Sequence, residues 1–326
     1  MYLLDEIHNL LRTVYMDCAI NGDTEVNALV KRLQRCIEMV NKNEVMEPSE
    51  LETSLDSVRT STHAFMSSSA AKHYGASLRQ IYTDSCITHC LLELYHDEKA
   101  EGETAWLKCV RLLDGAIVFS GAPDRMDVVQ RLIMHIQETK LAPLQSFSQE
   151  ILTPNFARNE AGLPSCGREV PRVEEPDMIS FLTTWCKSPF VISGGVGHWP
   201  ALTTHPWASL QYLKEVAGRG RMVPVEIGKD YRLDSWSQEM MDWEDFLERV
   251  EAASEPLVYL AQHSLFTQFP ELREDIRIPD FVYYSPTAEY ERYSPPNNED
   301  ELIINAWLGP KGTLSPAHQV IPSYQV

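Results

Sequence analysis

Apolar positions recur at helical spacing over the first part of the chain and at strand-like spacing over the last. Leu3, Leu4, Ile7, Leu10, Leu11, Val14, Tyr15 and Cys18 lie three and four apart and are followed by Asn21-Gly22, the pattern of an amphipathic helix with a stop. Val26, Leu29, Val30, Leu33, Cys36, Ile37 and Val40 repeat it behind Asp23-Thr24, which offers a cap. Pro48 predicts the start of a third helix, carrying Leu51, Leu55 and Val58. A longer fourth carries Tyr74, Leu78, Ile81, Tyr82, Ile87, Cys90, Leu91, Leu94 and Tyr95. Two more are expected over residues 106–119 and from Pro123 through Val129, Leu132, Ile133 and Ile136. Short connections between them predict an all-helical domain over residues 1–140, and no fixed period supports a solenoid. The apolar stripes read as core faces rather than partner grooves.

The texture changes over residues 141–177, where Pro143, Pro154, Pro164, Pro171 and Pro176 interrupt a stretch without periodicity; a linker and domain entry are expected. Beyond it, a short helix is predicted at 178–185, a strand at 190–195, a helix at 207–217, a strand at 222–227, a helix at 243–250 and a strand at 257–261. Pro224 suggests that the strand holding it is an edge. Residues 283–300 read as an acidic, proline-containing loop. The fold class is therefore α+β.

Charge and cysteine content narrow the classes. A net charge of -19, spread along the whole chain, leaves no basic face for nucleic acid. Acidity would suit a basic peptide substrate, and it also serves plain solubility. Seven cysteines, an odd number, argue for a reducing compartment. Cys86 and Cys90 share a helical face beside His89, and with no second pair they read as core rather than as a zinc site. The N-terminus lacks the basic start and apolar run of a signal peptide, and no apolar run approaches the ~18 residues a membrane helix needs. A nuclear or cytoplasmic protein is expected.

Candidate chemistry gathers near the C-terminus. Residues 302–308 read as a strand, Gly309-Pro310-Lys311-Gly312 as a turn, and residues 313–319 as a strand that delivers His318. Residues i and i+2 of a strand face the same way, so His-x-Asp on a strand grips one metal ion. Here the third position is Val320, whose isopropyl group has no donor atom, and no second histidine follows before Val326. Glu226 alternates with Val223, Val225 and Ile227, and is either a solvent-facing strand position or a carboxylate in a site. Tyr259 and Trp307 are either core aromatics or site residues. His198 and His205 have no partner at metal-ligand spacing.

Three blocks resemble the Jumonji-C (JmjC) family of Fe(II)- and 2-oxoglutarate-dependent oxygenases. They are Val223-Pro224-Val225-Glu226-Ile227-Gly228 with Trp236-Ser237-Gln238; Tyr259-Leu260-Ala261-Gln262-His263 with Leu265-Phe266 and Pro270-Glu271-Leu272; and Asn305-Ala306-Trp307 through Ser315-Pro316 to His318-Gln319. The likeness is specific from about Phe181 to Gln319. It implies a cupin-like double-stranded β-helix over residues 178–326, represented here by its N-terminal part. It also implies His318 as the first iron ligand, Tyr259 and Ser315 as hydrogen-bond donors to 2-oxoglutarate, and Glu226 and Trp307 as holders of a basic substrate side chain. The implied activity is hydroxylation or demethylation of arginyl or lysyl side chains in a basic protein, without nucleic acid or membrane.

The likeness breaks between Gln319 and Val320, and every valine codon begins with the two bases that open an intron, so a retained intron or incomplete gene model is expected. With the carboxylate and second histidine missing, this polypeptide is expected to be catalytically incompetent and to bind neither iron nor cosubstrate. The alternative is a non-catalytic product whose helical part is a protein-binding module.

Overall fold

A computed structural model describes residues 6–7, 11, 24–42, 48–68, 71–95, 102–143, 169–228, 236–283 and 301–313. The chain divides into two compact units, one formed by residues 1–144, 218–261 and 307–326, the other by 145–217 and 262–306.

Helices of the first unit are α1 (Thr24–Lys42), α2 (Pro48–Met66), α3 (Ala71–Tyr95), α4 (Glu103–Gly115) and α5 (Met126–Thr139). Glu6, Ile7 and Leu11 are helical as expected, and the rest of the first predicted helix lies outside the described residues. In α1 all seven stripe residues are buried, and Leu51, Leu55 and Val58 of α2 join them in one core.

α3 departs from the amphipathic expectation. Residues 81–92 are buried on every face, polar positions included, which makes α3 the central helix of this group. Four of its buried polar side chains are hydrogen-bonded, as burial demands. Thr83 Oγ1 lies 2.8 Å from Ser120 Oγ, Asp84 accepts from Arg125 Nε at 3.0 Å, Ser85 donates to the Tyr82 carbonyl and Thr88 to the Asp84 carbonyl. α4 runs on into a π-helical turn, Ala116–Ser120, ended by Gly121 in the left-handed region at φ 70°.

The same unit supplies most of a four-stranded sheet of order β4-β3-β5-β6, from β3 (Met222–Ile227), β4 (Ser237–Asp242), β5 (Val258–His263) and β6 (Ala306–Leu308). β3 lies between β4 and β5, which corrects the reading of Pro224 as an edge residue. The physical reason is local: Pro224 is opposite Met240 of β4, while β5 pairs only with Glu226 and Ile227. The missing N–H of Pro224 is tolerated because β5 does not pair at that position. β6 is shorter than the predicted strand, and the strand expected at 313–319 lies outside the described residues from 314 onward.

One buried ion pair fixes where β3 begins. Arg221 donates from Nη2 to Asp114 Oδ1 at 2.8 Å and from Nε to Oδ2 at 3.0 Å, and the Met222 backbone N–H donates to Oδ2 at 2.8 Å. Asp114 stands in the last turn of α4, where a negative charge opposes the helix dipole, and Arg221 offsets it. Helix α8 (Trp243–Ala252) follows β4 directly, its start capped by Asp242, and buries Trp243, Phe246 and Leu247.

The second unit holds a parallel pair, β1 (Arg172–Glu174) and β2 (Val191–Ser193), with helices α6 (Met178–Thr183), α7 (Leu210–Ala217) and α9 (Leu265–Gln268) and a 3-10 segment, Pro270–Asp275. Asp177 caps α6 by accepting from the Ser180 N–H at 2.9 Å. Among the described residues no helix is long and apolar enough to cross a membrane.

Candidate functional site

The alternation of β3 buries Val223 and Val225 and leaves Glu226 half-buried on the opposite face. On β5 the same rule buries Val258 and Leu260 and turns out Tyr259. Glu226 and Tyr259 are direct register partners, so their side chains share one face of the sheet. Trp236, at the entrance to β4, donates its indole N–H to Glu226 Oε2 at 3.2 Å. Burial first, and the Glu226 charge second, raise the Tyr259 phenol above its ordinary pKa, and a phenol even at the ordinary value of ~10 is a proton donor at neutral pH.

Space around the phenol is set by the turn after β6. A Cβ on Gly309 would lie 2.8 Å from Tyr259 Cδ2 and 2.8 Å from Thr313 Oγ1, so only glycine leaves the ring its place. Thr313 closes the turn, donating from its N–H and its hydroxyl to the Pro310 carbonyl at 3.2 and 2.8 Å.

Neither aromatic reading as core holds. Tyr259 is half-buried, and Trp307 on β6, the strand beside β5, keeps 49 % of its surface exposed. Ser315 and His318 lie outside the described residues, as does Val320. The structure thus brings Glu226 and Tyr259 together, seats Trp307 on the adjoining strand and adds two residues that received no role from sequence, Trp236 and Gly309. Trp236 was visible within a matched block, while the demand on Gly309 depends on a ring fifty residues earlier.

A second polar cluster lies within the other unit. Asp275, fully buried, accepts from His205 Nδ1 at 2.6 Å, from Trp207 Nε1 at 2.9 Å and from the Tyr212 hydroxyl at 2.5 Å. A carboxylate only accepts, so His205 carries its proton on Nδ1. Burial and then the Asp275 charge push the Tyr212 phenol well above its usual range. His205 therefore has a partner, seventy residues along the chain, that metal-ligand spacing does not reveal. Cys86 and Cys90 are core residues as expected: both are buried, and burial pushes the Cys86 thiol up to about 12.

A family model described as a cupin-like domain matches residues 184–322. The chain is 44% identical over 156 residues to "Lysine-specific demethylase 8" of Danio rerio, covering 47% of this chain and 36% of that protein. It is 33% identical over 250 residues to "Jumonji C domain-containing protein 5" of Drosophila melanogaster, covering 74% and 56%. It is 42% identical over 134 residues to "Lysine-specific demethylase JMJ30" of Arabidopsis thaliana, covering 40% and 28%. The chain thus spans between about a quarter and just over half the length of these relatives.

Proposed function

We propose that the chain, whose residues 184–322 match a cupin-like family model and which is similar to proteins named for a Jumonji C domain, carries a Jumonji-C (JmjC) domain whose Glu226–Tyr259 face belongs to an Fe(II)- and 2-oxoglutarate-dependent oxygenase acting on arginyl or lysyl side chains of a basic protein. The observation that carries this reading is the register pair itself. It sets a carboxylate, held by one indole N–H, beside a phenol kept protonated. Glu226 pairs with the guanidinium or ammonium of the substrate, and the exposed indole of Trp307 offers a cation a π face. Tyr259 donates to a carboxylate of 2-oxoglutarate, with Ser315 in the same role.

When bound in this family, iron and 2-oxoglutarate supply the oxidising chemistry. The resemblance assigns His318 as one ligand, but Val320, where a carboxylate ligand would stand, has no atom to offer a metal. We infer that a chain with valine at position 320 does not turn over, for want of that donor. Nuclear or cytoplasmic placement belongs to the same reading.

Binding and turnover test it separately. An arginine-containing basic peptide, followed by fluorescence polarisation, is expected to bind this polypeptide and to lose about tenfold or more in affinity with Glu226→Gln; equal affinity would sink the substrate assignment. Succinate formation from 2-oxoglutarate with added Fe(II) is expected to be absent here and present in a form continuing past Gln319. Turnover by the 326-residue form would overturn the metal assignment. Val320 favours a second reading, a non-catalytic product with a protein-binding helical part, and absence of turnover in both forms would support it.

A further inference from the structure

The helical part holds a cluster that the oxygenase reading does not use. His89 of α3 is fully buried, and its Nε2 has no hydrogen-bond partner. That nitrogen points to Glu93, one turn further along α3, whose Oε1 lies 3.6 Å away. Glu52 reaches the same place from α2, and one ligand atom from each of the three lies within 4.8 Å of the others. We propose that Glu52, His89 and Glu93 form a binding site for a divalent transition-metal ion of the zinc class.

The donor set selects the ion. One imidazole nitrogen with two carboxylate oxygens suits zinc, cobalt or nickel, whereas calcium and magnesium favour oxygen donors alone. Three helical features make the site a built one. Spacing of four on α3 stacks His89 and Glu93 on one face, α2 brings an acid from 37 residues earlier, and the side chains of Glu93 and Glu52 stay 13 % and 33 % exposed, which leaves an entry path.

Two cations face the cluster and set its strength. Lys108 of α4 pairs with Glu52 at 3.0 Å and, with its side chain 42 % exposed, gives way to an incoming ion. Arg59 Nη2 lies 3.4 Å from His89 Nδ1. Ligation through Nε2 expels the proton from that nitrogen and leaves the ring proton on Nδ1, facing Arg59. The guanidinium keeps Asp56 and the Ser85 carbonyl as partners when it withdraws. Binding is accordingly of modest affinity, since the ion must displace both cations from the cluster.

Titration of the full 326-residue chain with Co2+, read in its visible absorption bands, tests the site against the other histidines. One equivalent is expected to bind wild type and His318→Ala alike, and to weaken about tenfold or more in Glu52→Gln and in Glu93→Gln. Lys108→Met, a change at the surface, is expected to tighten it. Circular dichroism of each variant separates loss of a ligand from loss of the helices. Equal binding by wild type and both glutamine variants overturns the proposal, as does unchanged affinity in Lys108→Met or the absence of any bound equivalent.

Discussion

Asp275 and Glu226 are both carboxylates beside aromatic side chains, and their surroundings make them opposites. Asp275 is fully buried and receives three donors, which uses its acceptor capacity and locks His205, Trp207 and Tyr212 together. Glu226 is half-buried and accepts from the Trp236 indole. A saturated carboxylate holds a fold, because removing it leaves buried donors without partners. A carboxylate with lone pairs turned to solvent is available to a ligand. Asp114, buried and bound by Arg221 and the Met222 N–H, belongs with Asp275.

That contrast has measurable edges. Asp114→Ala leaves the Arg221 charge buried without its partner and is expected to cost ~3–5 kcal/mol in denaturant unfolding. Asp275→Asn turns an amide N–H2 toward at least one donor and is expected to cost ~1.5–3 kcal/mol. Gly309→Ala pushes a methyl into the Tyr259 ring, with a loss of ~1–3 kcal/mol and a displaced phenol that near-ultraviolet circular dichroism would register. Glu226→Gln is expected to change stability by no more than ~0.5 kcal/mol. A loss as large as that of Asp275→Asn would erase the distinction.

The same Glu226→Gln variant gives the smallest and most specific signal. Tyr259 has a raised folded-state pKa, so its contribution to stability is complete below the ordinary tyrosine pKa of ~10 and is lost as pH rises through the folded value. Removing the Glu226 charge takes away the lesser cause and leaves burial. The phenol is then expected to ionise at lower pH than in wild type, yet not below the ordinary value. Absorbance titration against Tyr259→Phe measures it, and an unshifted titration would mean that the two groups do not sense each other.

Sequence made the helical stripes legible because each answers to one periodicity: every stripe residue of α1 is buried. It was less informative at α3, where Thr83, Asp84, Ser85, Thr88 and His89 break the stripe and yet are buried, since their partners are their own backbone or other helices. Alternation on β3 placed Glu226 opposite Val225 in direction, but only the register brought Tyr259 to it. The Asp275 cluster was illegible because its three donors lie between 63 and 70 residues before the carboxylate. His89 and Glu93 were within reach, being separated by four on a helix, and the cysteines on either side of His89 drew the reading toward sulfur.

The Arg221–Asp114 pair bears on how this protein can be taken apart. A fragment beginning after the helices contains Arg221 and the whole of β3, yet it leaves behind Asp114, which pairs with this arginine and anchors the Met222 N–H. Such a fragment exposes Arg221, without that carboxylate, at the very strand that presents Glu226. Dissection at the apparent linker would therefore measure a wounded sheet, and loss of ligand binding in it would say nothing about whether the helices themselves recognise anything. Swapping the charges, Asp114→Arg with Arg221→Asp, keeps the chain whole and asks the same question without the wound.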